Sequence, residues 1–100
     1  MGPRAGKDVT APPALGPNGL VVTYSDGRLA GSGEPFDTIS AVRESADGNV
    51  YTGGTVRADG AIAAFAVGVL APGETDVFLR VTETDPAGNA LTLPFGPFAA

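Results

Sequence analysis

The chain has 100 residues, which is close to the usual size of one domain. Its 6 basic and 11 acidic residues give a formal charge of −5, so we expect neither nucleic acid nor an anionic membrane as a partner. The lack of cysteine and histidine excludes a disulfide framework, a thiolate metal site and the commonest general base. No stretch approaches the ~20 apolar residues of a spanning helix, so we expect no membrane insertion.

The first 19 residues are predicted to form an extended N-terminal arm. Four of the nine prolines lie in this segment, namely Pro3, Pro12, Pro13 and Pro17. Proline fixes its own φ angle and drives the preceding residue toward extended geometry. Residues 1–19 are therefore assigned to an arm that either moves freely or lies on a neighbour.

From Leu20 onward, short β-prone runs alternate with turn signals. Asp-Gly pairs, which supply the positive φ angles of tight turns, occur three times. The predicted strands are 20–24, 28–33, 36–44, 50–57, 61–69, 75–84 and 90–95. This spacing predicts an all-β fold, an immunoglobulin-like β-sandwich of about seven antiparallel strands over residues 20–95.

The run 75–84 has the clearest strand pattern in the chain. Val77, Leu79 and Val81 alternate with a second set of side chains, as expected of a strand with one buried face. A helix is not predicted, because glycine and proline closely bound the alanine-rich stretch that begins at Ala61.

Five short strings follow one another in a characteristic order. They are DVTAP at 8–12, LAGSGEP at 29–35, TISA at 38–41, ADG at 58–60 and VTETDPAGN at 81–89. Respectively, they resemble the opening linker, the Leu-x-Gly-x-Gly-Glu-Pro step, the Thr-Val-Thr-Val strand, the Ala-Asp-Gly turn and the Val-Thr-Ala-Thr-Asp-x-Ala-Gly-Asn segment of bacterial immunoglobulin-like repeat domains. These domains occur in large surface adhesins and in related extracellular and phage proteins.

The resemblance covers residues 8–95 and implies the same sandwich fold. The chain departs from the family pattern at Phe36, where glycine normally follows Glu-Pro, and at Ile62, where an aromatic residue is common. Both changes are interpreted as local repacking.

No residue pattern supports catalysis, so we predict that the chain is not an enzyme and binds no cofactor. The carboxylates of Asp26, Asp47, Asp59 and Asp85 all lie in glycine-containing turn signals, where hydrogen bonds to the backbone explain them. The glycine-rich positions lack the strand-to-helix junction of a phosphate loop.

The resemblance also implies a calcium site, since repeats of this family can hold the ion between neighbouring domains. Asp8, Asp85 and Asn89 are the matching positions. The alternative is that Asp85 only shapes a turn and Asp8 is a solvated arm residue. We favour the turn and predict no metal site.

The last residues contain two phenylalanines between prolines. Because proline cannot continue a central strand, we expect strand pairing to end at Phe95 and residues 96–100 to form an apolar C-terminal tail. Pro94, Phe95, Pro97 and Phe98 are the candidate residues for contact with another protein chain. Alternatively, Phe95 completes the domain's own core and Phe98 frays; this is the favoured interpretation for Phe95, whereas both stay open for Phe98.

Two functions follow for a non-catalytic structural or binding module. The favoured one is a stand-alone accessory (decoration) protein of a phage particle, on the virion surface, which contacts neighbouring protein subunits through its arm and tail. It is favoured because the chain holds one copy and shows no export signal. The alternative is an extracellular repeat of a secreted bacterial adhesin, acting as a spacer or as a cell-surface module that binds a glycan or receptor. A carbohydrate-binding module would need exposed aromatic residues, and tryptophan is absent.

Overall fold

The computed structural model describes residues 10–14, 16, 18–43, 50–68 and 76–99. The strands are β1 (Val21–Ser25), β2 (Arg28–Ser32), β3 (Thr38–Arg43), β4 (Val50–Thr55), β5 (Ala61–Ala66), β6 (Asp76–Thr84) and β7 (Ala90–Ala99). The predicted all-β class is confirmed, as is the number of strands. Across the described ranges, no helix has the length and apolar character needed to cross a membrane.

The strands form two antiparallel sheets that stack into a sandwich. One sheet has three strands in the order β1-β2-β5, and the other has four in the order β4-β3-β6-β7. All five pairings are antiparallel. This arrangement is consistent with the predicted immunoglobulin-like sandwich.

The core is built from the inward-facing side chains, which alternate with outward-facing ones along the strands. On β6, Val77, Leu79 and Val81 are at most 1% exposed, whereas Phe78 and Arg80 face solvent. Apolar side chains from both sheets complete the buried cluster: Leu20, Val22, Leu29, Ile39, Ala41, Val56, Ile62 and Val67. Fully burying one aliphatic side chain of this size contributes roughly 1.5–3 kcal/mol.

Two of the predicted Asp-Gly turns are described, and both have the expected geometry. Asp26 and Gly27 have φ angles of 52° and 78°, which suits the two-residue hairpin between β1 and β2. The Asp59 carboxylate accepts a hydrogen bond of 3.0 Å from the Ala61 amide. The turns predicted at 46–49 and 72–74 lie outside the described residues.

The predicted end of the last strand is wrong. β7 continues through Phe95 to Ala99, so residues 96–99 of the predicted tail belong to the sandwich. The pairing passes from Leu79↔Phe95 to Val77↔Phe98, which leaves two residues of β7 opposite Phe78 in a bulge. The two prolines are tolerated because β7 is an edge strand, where backbone N–H groups can be missing without loss of ladder bonds.

The described part of the N-terminal arm lies against the sandwich. Pro12 is buried, and the Leu20 amide donates a hydrogen bond of 3.3 Å to the Pro13 carbonyl. The predicted arm also includes residues 1–9, which lie outside the described ranges.

The chain enters the sandwich at one end and leaves at the other. The proximal end contains Leu20, the 33–37 turn and the 85–89 turn. At this end, the Glu34 amide donates a hydrogen bond to the side chain of Glu83 on β6. The distal end contains the β1–β2 hairpin turn and Ala99, the last residue of β7. This polarity decides how the module can be connected to other chains.

Candidate functional site

Both phenylalanines of the predicted contact set pack within their own domain. The Phe98 ring stacks on Tyr24 with the ring centroids 5.7 Å apart and the planes at 29°. Phe95 is half-buried and packs against the core cluster. These rings therefore close the distal end of the sandwich, and fraying of Phe98 is not what the structure shows. Pro94 and Pro97 are exposed, and a contact between this set and another chain stays a prediction.

An apolar band crosses the outer face of the four-stranded sheet near the distal end. Val50, Val42, Arg80 and Pro94 are successive partners in the register of β4, β3, β6 and β7. Phe78 lies one outward position further along β6 and is exposed, as is Val50. Pro94 therefore belongs to a larger surface than the sequence indicated. We call Val42, Val50, Phe78 and Pro94 the apolar band; the charged residue Arg80 lies between Val42 and Pro94 and interrupts it.

Two carboxylic acids at the proximal end are completely buried. Glu83 follows Val81 on the inward face of β6, and Asp37 directly precedes β3; both residues are 0% exposed. The Glu34 amide donates a hydrogen bond of 3.0 Å to Glu83 Oε2. Gly33 packs directly on this carboxyl group, because a Cβ atom added there would lie 2.9 Å from Oε2.

The surroundings of Glu83 favour its protonated form. Burial raises the pKa of Glu83 from 4.5 to about 7, and a hydrogen bond to the Asp37 side chain and the negative charges of Asp37 and Glu34 act in the same direction. The hydrogen bond from the Glu34 amide opposes them by stabilising the carboxylate. Glu83 and Asp37 can therefore share a proton under mildly acidic conditions.

The turn beside this acid pair has an unusual backbone. Phe36 has a φ angle of +73° and is exposed, although a side chain normally disfavours this left-handed conformation. Hydrogen bonds hold the backbone on both sides of it: the Phe36 amide donates to Val56 O at 2.9 Å, and the Val56 amide donates to Asp37 O at 2.7 Å. The glycine expected at this position would adopt the same conformation without strain.

The acid pair was not predicted from the sequence, although one signal for it was present. Glu83 has the same strand parity as Val77, Leu79 and Val81, and the resembling string carries alanine at its position. A charged residue in an inward-facing series predicts a buried acid. Asp37 had no equivalent signal, because it precedes the strand and has no alternation to place it.

Asp85 stabilises the 85–89 turn through its side chain and its backbone. Its Oδ1 accepts a hydrogen bond of 2.8 Å from the Asn89 amide, and its Oδ2 accepts one of 3.1 Å from Asn89 Nδ2. The Asp85 amide in turn donates to the Asn89 carbonyl at 2.9 Å. Asp8, the other candidate calcium ligand, lies outside the described residues. Of the side chains that the structure describes, no group of three or more Asp, Glu, His or Cys residues is arranged to hold a metal ion.

Comparison with known proteins identifies the family. A family model described as a bacterial Ig domain matches residues 11–93, which include β1 to β6 and the start of β7. No curated protein and no solved structure matches the chain. The family match agrees with the seven-stranded sandwich and with the order of the five strings in the sequence. The chain therefore belongs to the family of bacterial Ig domains.

Proposed function

We propose that the chain is a spacer module of a bacterial surface protein, a structural unit that sets the distance between the segments attached to its two ends. Domains of this family are generally non-catalytic binding or structural modules and are commonly extracellular or surface-associated. The observation that carries the proposal is the position of the outer strand ends, since β1 begins at the proximal end of the sandwich and β7 ends at the distal end.

This polarity suits an array of modules connected in series. The nine residues of β6 cover about 30 Å at ~3.3 Å per residue, so each module adds about that length along the strand direction. The Tyr24–Phe98 stack closes the distal end with residues of the same domain. A module of this kind needs no neighbour to complete its core.

Small-angle X-ray scattering of one, two and four full-length copies joined in series tests this function. We expect the maximum dimension to rise by at least about 30 Å per added copy, because the strand axes lie along the direction of connection. Four separate copies at the same total concentration are the control and should scatter as monomers. A compact four-copy particle, with a maximum dimension close to that of two copies, would contradict the spacer function.

A second candidate is the accessory protein of a phage particle, located at the virion surface. The apolar band favours it, because exposed apolar surface of this kind is typical of contacts with other protein subunits. Phe95 and Phe98 do not favour it, since both are half-buried and pack on the core and on Tyr24, respectively.

Analytical ultracentrifugation distinguishes the two candidates. An accessory protein should self-associate or bind particles through the apolar band, and Phe78→Ser should weaken that association by at least tenfold. Thr23→Ser, at an exposed position of the three-stranded sheet, is the matched control. A strictly monomeric chain that binds no particle would leave the spacer function as the one supported.

A further inference from the structure

The proximal end contains a feature that neither candidate function requires. Glu83 is fully buried, and its Oε1 atom accepts no hydrogen bond from the residues that the structure describes. Its other carboxyl oxygen accepts one backbone hydrogen bond, from Glu34. A buried ionised carboxylate with so few donors is strongly disfavoured, whereas the protonated acid can donate to a neighbouring carboxylate.

The charged groups that face Glu83 are acidic. The 33–37 turn contributes Asp37 and Glu34, and both act on Glu83 as negative charges. The two strands that pair with β6 place uncharged residues beside it, namely Ile39 of β3 and Leu91 of β7. In the described part of the chain, the charged neighbours of Glu83 thus favour retention of a proton, and the hydrogen bond from the Glu34 amide opposes it.

The turn that covers the acid pair is itself strained. Phe36 has a left-handed backbone conformation that persists only where flanking contacts impose it. One flank is held by the Glu34 amide on the Glu83 carboxyl group, and the other contains the buried side chain of Asp37. The acid pair therefore adjoins both flanks and holds the turn together with the two backbone hydrogen bonds to Val56.

We propose that a proton shared between Glu83 and Asp37 is a pH-dependent latch, which holds the 33–37 turn on the sandwich and releases it when the proton is lost. Deprotonation places a second negative charge in a buried space beside Asp37. Opening of the turn relieves this repulsion, brings water to both carboxylates and relaxes the backbone at Phe36. The device needs only protons as its ligand.

The direction of the pH dependence follows from the pKa of Glu83, which folding raises from 4.5 to about 7. Below pH 4.5 the acid is protonated in both the folded and the unfolded chain, and the full stability is present. Between 4.5 and about 7 the unfolded chain releases the proton and the folded chain keeps it, so stability falls as pH rises. Above about pH 7 the loss is complete and the curve flattens.

Thermal unfolding of the full chain and of Glu83→Gln between pH 4.5 and 8.5 tests the latch. We expect the Tm of the wild-type chain to fall by about 10 °C over this range and that of Glu83→Gln to change much less, since the amide cannot titrate. Asp59→Asn is the matched control, because Asp59 is an exposed turn residue at the same end; it should keep the wild-type slope. An equal slope in Glu83→Gln would overturn the proposal.

Amide hydrogen exchange separates release of the turn from general destabilisation. We expect the protection factor of the Phe36 amide to fall at least tenfold between pH 6 and pH 8 in the wild-type chain and to stay constant in Glu83→Gln. The Val67 amide, which donates to Gly27 O at 2.9 Å at the distal end, is the internal reference. Equal loss of protection at Phe36 and Val67, or no loss at either, would overturn the latch. Asp37→Asn provides the same comparison if Glu83→Gln does not fold.

Discussion

The two ends of the sandwich are closed by different chemistry. At the distal end, two aromatic rings and a bulged strand cover the core. At the proximal end, a strained turn covers two buried carboxyl groups, one of which has its pKa raised to about 7. One small domain thus closes one end of its core by apolar contact and the other with a buried acid pair, and we expect only the second to respond to protons.

Gly96→Ala should have the largest effect and should break the distal closure. A Cβ atom at this position would lie 2.5 Å from the Val77 carbonyl oxygen, and the residue has a φ angle of +127°. We expect a loss of roughly 3 kcal/mol in the free energy of unfolding, equal at pH 5 and pH 8, because the obstacle is fixed backbone. Urea denaturation measures this change.

Gly88→Ala is the control for that prediction. Gly88 also has a positive φ angle, +96°, but no atom lies within 4 Å of an added Cβ. Gly88→Ala should therefore lower the free energy of unfolding only by the cost of a positive φ angle for alanine, about 1 kcal/mol. Equal losses in the two variants would show that the bulge at Gly96 does not hold the distal end closed.

Phe98→Ala should lower the free energy of unfolding by about 2 kcal/mol, which is less than the loss for a fully buried phenylalanine because the ring is half-buried. A double-mutant cycle with Tyr24→Ala should give a coupling of about 1 kcal/mol for the stacked rings. The coupling should be the same at pH 5 and pH 8. A coupling near zero would indicate that Phe98 contributes little to closure.

Gly33→Ala tests the proximal closure with the same type of substitution. The nearest atom to an added Cβ is Glu83 Oε2 at 2.9 Å, the end of a flexible side chain. The carboxyl group can shift, so we expect a loss of about 1.5 kcal/mol. The pH dependence of Tm should also change, because displacement alters the contact between Glu83 and Asp37. If the Tm of Gly33→Ala varied with pH as the Tm of the wild-type chain does, the Gly33 contact would have no effect on the acid pair.

Phe36→Gly should have the smallest effect and the opposite sign. Glycine adopts the left-handed conformation freely, so relief of strain should raise the free energy of unfolding by about 1 kcal/mol at pH 5. Phe36→Ala is the control; it removes the exposed ring but keeps the strain and should stay close to the wild-type value. A gain in Phe36→Ala equal to that in Phe36→Gly would locate the penalty in the exposed ring and not in the backbone.

Much of the fold was predictable because local rules act within each strand. Alternation on β6 and Asp-Gly chemistry at Asp26 and Asp59 gave the strands and turns in their correct order. The course of β7 was not predictable in the same way, since the tolerance of Pro94 and Pro97 depends on the strand lying at a sheet edge. Edge position is a property of the tertiary arrangement.

The candidate site was less predictable than the fold for a similar reason. The alternation of β6 places the Glu83 side chain inside, but its pKa is raised by burial, by Asp37 and by the negative charge of Glu34, and both residues are distant from Glu83 in sequence. The strain at Phe36 was not predictable either, because phenylalanine gives no sign of a left-handed backbone. The only indication is that the family pattern has glycine at this position. Long-range contacts determine both features.

The prolines of β7 have a consequence for a protein built from many such modules. Modules held in one chain experience a very high local concentration, and an open sheet edge would invite neighbouring copies to pair strand to strand and aggregate. Pro94 and Pro97 lack backbone donors, and the bulge at Gly96 and Pro97 distorts the remaining row. We therefore expect Pro94 and Pro97 to hinder the pairing of this edge with a strand of an adjacent copy.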